Sequence, residues 1–302
     1  MSVDAVLIAG PTASGKSAVA LALAERIGGA LINSDSMQVY AEARILSARP
    51  GEAELSRVPH FLFGHVSVHT RYSAARFAED AAQALGEVRA AGRVPIFVGG
   101  TGLYFEALIA GLAEMPHVPS AVRLAARAER ERLGAEGFFA ELARRDPTSA
   151  AKLRASDTQR TLRAWEVLEA TGRPLVDWQA GTVTPLLAGL GLARFVLAPE
   201  RAELHRRIDT RFDAMVEAGA VEEAVSLAGI DPMLSAAKLL GRRELLAAAA
   251  GTLRLEDAVS RAKAATRQYA KRQITWARHR MAEWRWLEDG SNIVSSAAKE
   301  FS

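Results

Sequence analysis

Gly10-Pro11-Thr12-Ala13-Ser14-Gly15-Lys16-Ser17 is the stretch that decides the fold of this chain. It fits G-x-x-x-x-G-K-[ST] at every fixed position. It stands between an apolar run, Ala5-Val6-Leu7-Ile8-Ala9, and a helical pattern from Ser17 to Ile27 that closes at Gly28-Gly29. Strand, glycine-rich turn and helix in that order build a cradle for an anion. The glycines let the backbone curl so that successive N–H groups point at one ligand, and the helix N-terminus adds the positive end of its dipole. In such a loop Lys16 carries a point charge to the terminal phosphates, and the Ser17 hydroxyl ligates a magnesium ion. The plain alternative is a glycine-rich turn with Ser17 near a helix start, but few chance matches also sit between a strand and a helix. The loop predicts a phosphate or diphosphate ligand.

Outward from the loop, strand and helix patterns alternate. Ala30-Leu31-Ile32-Asn33 reads as a second strand, Tyr72 to Ala91 as a helix stopping at Gly92, and Val94-Pro95-Ile96-Phe97-Val98 as a third strand before Gly99-Gly100. Such alternation predicts an α/β fold of the P-loop kind, a parallel sheet with helices on both faces. After Gly111 the pattern changes. Pro116 and Pro119 punctuate the chain, and strand signals vanish until Arg194-Phe195-Val196-Leu197-Ala198. The expected organisation is a core from residues 1–115 and 191–302, with a small all-helical insertion at 116–190. The tail after Glu288 is polar and small, the composition of a frayed end.

Of 302 residues, 49% are hydrophobic and 24% charged, an ordinary globular composition. No apolar run approaches the roughly 20 residues of a spanning helix. Met1-Ser2-Val3-Asp4 leads straight into a strand with no basic region or cleavage site, and cysteine is absent, so neither disulfides nor thiolate metal sites are expected. The reading is a cytoplasmic monomer. The net charge is only +3, yet six of the 38 basic residues are Lys and the other 32 are Arg, whose planar fork suits phosphate. A GC-rich genome would also enrich Arg. Distribution says more: Arg261, Lys263, Arg267, Lys271, Arg272, Arg278, Arg280 and Arg285 face one acid, Glu283. That stripe is either a solvated helix face or a track for a phosphate backbone.

Nucleotide-hydrolysing proteins with this loop usually carry an acid at the end of a later apolar strand. Here that strand ends Val98-Gly99-Gly100-Thr101, without one. The loop is therefore expected to grip a leaving group or donor. Strand two runs into Ser34-Asp35-Ser36-Met37-Gln38-Val39-Tyr40, and ligands bind outside the carboxyl ends of strands in open α/β sheets. Asp35 can thus hold magnesium through water or act as a general base; the alternative is a turn or cap aspartate. Thr101 either caps the next helix or lies against a ligand that the surrounding glycines let approach. Leu204, Ile208, Phe212 and Met215 form an apolar stripe, and at about 100° per residue Arg211 falls inside it, where it needs an anionic partner. In the insertion, Ser156-Asp157-Thr158-Gln159 has capping-box spacing ahead of a helix expected to bury Leu162, Trp165 and Leu168, with Gln159, Arg160 and Arg163 opposite.

GPTASGKS at 10–17, INSDSMQVY at 32–40, VGGTGLYFEALI at 98–109, RIDTRF at 207–212 and ATRQYAKRQITW at 265–276, in this order, resemble the bacterial tRNA dimethylallyltransferases, also called tRNA isopentenyltransferases. The resemblance covers nearly the whole chain. It implies that dimethylallyl diphosphate donates its five-carbon group to N6 of the adenosine immediately 3′ of the anticodon, in tRNAs reading codons that begin with U, with the base flipped into a channel. It also implies roles. Gly10 to Ser17, with Mg2+ on Ser17, would hold the diphosphate; Asp35 would accept the N6 proton; Thr101 would contact donor or flipped base; Arg211 would stabilise the departing diphosphate. Asp35, Ser36, Met37, Gln38, Thr101, Arg123, Gln159, Arg160, Thr161, Leu162, Arg163, Lys238, Gly241, Arg242 and Arg243 fall at positions implied to touch the tRNA anticodon stem-loop.

Two stretches depart from the family pattern. Ile45-Leu46-Ser47-Ala48-Arg49-Pro50 stands where Gly-Thr-Ala-Lys-Pro is common, and Gly241-Arg242-Arg243-Glu244 where Gly-Tyr-Arg-Gln is common. Gaining Arg242 for an aromatic could exchange stacking for a phosphate contact. A small-molecule or nucleoside kinase using ATP explains Lys16, Ser17 and Asp35 equally well, but not the basic C-terminal helix or the missing second acid. A non-catalytic RNA-binding module leaves Asp35 and Arg211 without a purpose.

Overall fold

A computed structural model describes residues 3–181, 184–290 and 293–294. It divides into two compact units, Met1–Ile109 with Leu186–Ser302, and Ala110–Pro185. Each boundary lies five or six residues earlier than the composition shift predicts. The reason is the return of the chain: Leu187 N–H donates to Leu108 O at 3.0 Å, and the Leu187 side chain is buried in the first unit's core.

The first unit runs β1 (Ala5–Ala9), α1 (Lys16–Ile27), β2 (Gly29–Asn33), α2 (Glu52–Leu55), β3 (His60–Phe61), α3 (Ala74–Ala90), β4 (Val94–Gly99) and α4 (Gly102–Ile109). In the second unit follow α5 (Ser120–Arg145), α6 (Pro147–Ala150), α7 (Thr158–Thr171) and α8 (Leu175–Gln179). The chain then returns as β5 (Leu192–Leu197), α9 (Arg201–Glu217), α10 (Ala220–Ser226), a 3₁₀ turn at Ser235–Lys238, α11 (Arg242–Ala249), α12 (Leu255–Arg280) and β6 (Arg285–Leu287). Among the described residues the six strands are all parallel, in the order β3-β2-β4-β1-β5-β6.

β1 is apolar at every position because both of its faces are covered, as a parallel sheet requires. Successive side chains alternate between two cores. Leu7, Ile32 and Phe97 enter one, and Val6, Ile8, Leu31, Ile96 and Val98 the other. Parallel pairing brings the carboxyl ends of β1, β2 and β4 to one rim, where Gly10, Ser34 and Gly100 leave the sheet. Two strands have no counterpart in the sequence reading. β3 and β6 are two and three residues long, too short for an alternation to register. The expectation of a frayed tail fails at Ile293, which is fully buried in the second core. The tail beyond Val294 lies outside the described residues.

The second unit has a core of its own around Val118, Ala126, Phe138, Leu142, Trp165 and Leu175, with Phe138 stacked on Trp165 at 4.5 Å. The cap of α7 is Asp157, not Ser156: its side chain accepts from Arg160 N–H at 3.2 Å, so the helix begins one residue later than capping-box spacing indicates. The buried face turns accordingly. Thr161, Ala164, Trp165 and Val167 are buried, and Leu162 and Leu168 only half so.

Candidate active site

Between β1 and α1 the chain makes a tight arc. Ala13 and Gly15 adopt φ of 63° and 93°, and Ser14 N–H donates to Pro11 O at 3.2 Å, closing the turn over the helix start. Lys16 leads the helix with 9% of its surface exposed, its Nζ donating to Pro11 O at 3.3 Å. Burial pushes the Lys16 ammonium down to about 8; Asp35 opposes the shift and Arg211 adds to it. Ser14 Oγ is buried in the arc without a hydrogen-bond partner among the described residues. A cation held dry and an orphaned hydroxyl together describe a receptor for an anion.

The end of β2 presents Asp35. Asn33 Oδ1 accepts from Asp35 N–H at 2.9 Å, and Asp35 Oδ1 accepts from Met37 N–H at 2.9 Å. Both turns hold the carboxylate on the rim and leave Oδ2 without a protein donor among the described residues. At the end of β4, Thr101 Oγ1 accepts from Ser36 N–H at 2.9 Å and donates to Ser36 Oγ at 3.1 Å. Thr101 and Asp35 therefore belong to adjoining turns locked to each other. From α9, Arg211 donates through Nη2 to Thr12 Oγ1, and burial lowers its guanidinium while Asp35 opposes. Its neighbours Leu204, Ile208, Phe212 and Met215 are all buried, so the inward-facing Arg has Thr12 and the Asp35 charge for company.

These groups enclose a cavity of about 40 Å³. Its wall mixes the polar residues Thr12, Asp35, Ser47, Arg211 and Thr266 with the apolar residues Met37, Leu46, Ile208, Phe212, Met215 and Leu240. Tyr269 of α12 also lines it. Burial, then the Asp35 charge, raise the Tyr269 hydroxyl, against Arg272 and a hydrogen bond with Thr101. The wall depends on Glu223 of α10. Its carboxylate accepts from the N–H groups of Arg44, Ile45 and Leu46 at 2.8–2.9 Å, fixing the stretch that departs from the family pattern.

The IPP transferase family model matches residues 38–280. The chain belongs to the IPP transferase family. It is 52% identical over 285 residues to a tRNA dimethylallyltransferase of Bradyrhizobium sp. (strain ORS 278), covering 94% of this chain and 92% of that one. It is 53% identical to the protein of the same description from Nitrobacter hamburgensis, covering 94% and 90%. Among solved structures, the full-length tRNA isopentenylpyrophosphate transferase of Bacillus halodurans superimposes with a TM-score of 0.69 at 31% identity, over 99% of this chain and 96% of that one. A eukaryotic dimethylallyltransferase acting on tRNA gives 0.73 at 29%, over 91% and 70%. These IPP transferase relatives favour the transferase reading over the kinase.

In this family member the remaining expected positions divide by exposure. Lys238 and Arg243 are exposed, as are Gln159 and Arg160 in the helical unit. Arg163 is about one-third exposed beside Glu166, and Arg123 donates to Val118 O. Gln38 is committed inward, its amide donating to Ser47 O at 3.1 Å and Ala48 O at 2.8 Å. Thr161 is buried and donates to Asp157 O at 2.8 Å. Gly241 has φ 81°, and a Cβ there would meet the Phe212 ring at 2.7 Å. Arg242 departs most from expectation. It is 8% exposed, with Nε and Nη2 donating to Leu227 O and Nη2 also to Ala228 O, which satisfies the carbonyl end of α10. It caps a helix instead of presenting a charge to phosphate.

The basic stripe on α12 is likewise divided. Lys263 pairs with Asp213, Arg267 with Asp209 and Arg280 with Glu106. Lys271 and Arg278 line a groove of about 740 Å³ with Arg201, His205 and Trp286. Sequence reasoning assigned no role to Tyr269, Gln273 or Arg207. Gln273 reaches the loop and the β4 turn, and Arg207 donates to Ser14 O at 3.0 Å. The i, i+4 spacing of Tyr269 and Gln273, on the face that also carries Thr266 and Ala270, was the available signal.

Proposed function

We propose that the protein transfers the dimethylallyl group of dimethylallyl diphosphate to the N6 amine of the adenosine immediately 3′ of the anticodon, in tRNAs reading codons that begin with U. The C–O bond to diphosphate breaks, a C–N bond to N6 forms, and the displaced N6 proton passes to Asp35 Oδ2, the oxygen left free by the turn. The Gly10–Ser17 loop, of P-loop form, holds the diphosphate. Lys16 and Arg211 take up the charge that grows on it as the bond breaks. Thr101, tied to the Asp35 turn, contacts the substrates beside the base.

The observation that carries the reading is the cavity whose wall combines Thr12, Asp35 and Arg211 with a set of apolar side chains. An isoprenyl diphosphate has that mixed character, whereas a phosphate acceptor for a kinase does not need the apolar Met37, Leu46, Phe212 and Met215. Magnesium suits the donor set. No cluster of three or more metal-binding side chains exists among the described residues, and a magnesium ion shared with substrate phosphates needs only one or two protein oxygens. Ser17 would hold it, and it would supply counter-charge to the leaving diphosphate. RNA would be held by the exposed cations Lys271 and Arg278 in the groove, Lys238, Arg243 and Arg160, with the half-buried Arg123 and Arg163 and the neutral amide of Gln159 beside them in the helical unit. No helix among the described residues is long and apolar enough to cross a membrane. We place the activity in the cytoplasm, in a monomer.

The test incubates the protein and magnesium with unmodified tRNA and labelled dimethylallyl diphosphate or, separately, labelled ATP. Label entering the adenosine beside the anticodon supports the transferase. Phosphate leaving ATP for a small molecule, with no prenyl transfer, restores the kinase.

A further inference from the structure

Gln273 lies on α12, the helix that carries the basic stripe, yet its side chain points away from that stripe. Its Oε1 accepts from Thr12 N–H at 2.9 Å, and its Nε2 donates to Gly100 O at 2.8 Å. One amide thus spans two turns that come from different strands: the anion loop after β1 and the glycine turn after β4. Each end of the span is one step from the chemistry. The hydroxyl of Thr12 receives Arg211, and Thr101, which follows Gly100, is locked to Ser36 and so to the Asp35 turn. The direct backbone link between these loops is the single bond from Gly10 N–H to Gly99 O at 3.3 Å, at the far end of both turns.

We propose that Gln273 is a positioning residue for the transfer, setting the distance between the donor held on the Gly10–Ser17 loop and the acceptor amine held between Asp35 and Thr101. This rests on the proposed function. The chemistry needs only one fixed span. An in-line displacement requires the attacking nitrogen and the electrophilic carbon at near-contact distance, and an error of about 1 Å costs on the order of 100-fold in rate. No other side chain among the described residues hydrogen-bonds to both turns. An amide is suited to the role because it donates and accepts at once and adds no charge beside the diphosphate. Because the span is anchored on α12, the donor loop and the RNA-facing helix share one fixed point.

Gln273→Met keeps length and volume and removes both hydrogen bonds. With wild-type enzyme as the control for transfer itself, the single-turnover rate of Gln273→Met should fall about 10- to 100-fold. Dissociation constants for inorganic diphosphate and for tRNA, each measured alone, should change less than about threefold, since neither ligand is held by the Gln273 side chain. A second measurement is independent of activity: amide exchange should accelerate in segments 10–17 and 99–104 together, and in no other segment of the sheet. An unchanged rate, or unchanged exchange in both segments, overturns the proposal. So does a rate loss matched by equal losses of both affinities and by exchange spread over the whole core, which marks Gln273 as merely structural. Absence of transfer by the wild-type enzyme would refute the proposed function instead, and the exchange result would still decide whether the span exists.

Discussion

Lys16 is built into the fold at a cost, and Lys16→Met should reveal it. Burial moves the ammonium from 10.5 to about 8, and a shift of that size corresponds to about 3 kcal/mol against folding whenever the group is charged. Methionine keeps the buried stem and removes the charge. It leaves Pro11 O without its donor, an offset of about 1 kcal/mol. The ligand-free variant should therefore be about 2 kcal/mol more stable than wild type near pH 7, a rise of roughly 3 °C in Tm for a chain of this length. The pH dependence identifies the source. Between pH 8 and 10.5 the unfolded chain keeps a proton on Lys16 that the folded chain has released, so wild-type stability rises with pH across that window. The advantage of Lys16→Met should be constant well below pH 8, shrink above it, and by pH 10.5 give way to a deficit of about 1 kcal/mol, the cost of the unpaired Pro11 O. Added inorganic diphosphate should reverse the order, stabilising wild type and not the variant. Denaturation followed by circular dichroism at about pH 7, 8, 9 and 10 reads all three effects. If the variant is no more stable near pH 7, or its advantage does not change with pH, the lysine is solvated and the case for a dry anion receptor fails.

Asp35→Asn keeps the acceptor for Met37 N–H but cannot take the N6 proton; single-turnover transfer should drop by about 10²- to 10⁴-fold with tRNA affinity within about threefold, and an unaltered rate would remove Asp35 as the base. Arg242→Leu strips the cap from α10 and should lower stability by about 2–3 kcal/mol in urea denaturation, yet leave the salt dependence of tRNA binding as it was. A flattened slope in that variant would mean Arg242 meets phosphate after all. Arg160→Ala with Arg163→Ala should reduce the slope of log affinity against log salt by about 1 for each phosphate that is no longer neutralised; an unchanged slope would exclude that face of α7 from the RNA footprint.

The four longer strands and the anion loop were legible because each leaves an unbroken apolar run or a fixed-spacing trace, and the strand ends and the apolar stripe of α9 gave the places, though not the roles, of Asp35, Thr101 and Arg211. A buried parallel strand reads as an unbroken apolar run, and an Arg inside an apolar stripe stands out by its angle. What could not be read depends on which long-range partner a side chain finds. Arg242 follows a glycine in a stretch implied to meet RNA, and nothing local says that the carbonyls at Leu227 and Ala228 will claim it. Gln38 and Gln273 belong to quoted motifs, but an amide that can bond any backbone group announces no partner. The start of α7 was missed by one residue because Ser156 and Asp157 both make acceptable caps, and it is the Asp157 side chain that accepts from Arg160 N–H.

The strand order also bears on how the polypeptide comes off the ribosome. β1 is synthesised well before β5 and lies in the middle of the sheet, but β5, one of its two partners, begins at Leu192, and Gln273, which joins the finished loops, comes later still. Until then the apolar run that seeds the sheet has an open edge, the kind of edge that recruits other chains. Ala110–Pro185 has no such dependence: its core is drawn from one continuous segment, so it can close while the nascent sheet is still waiting. A chain interrupted ahead of Tyr269 would carry the lysine, the aspartate and the threonine in their strands and turns, and would still have no active site.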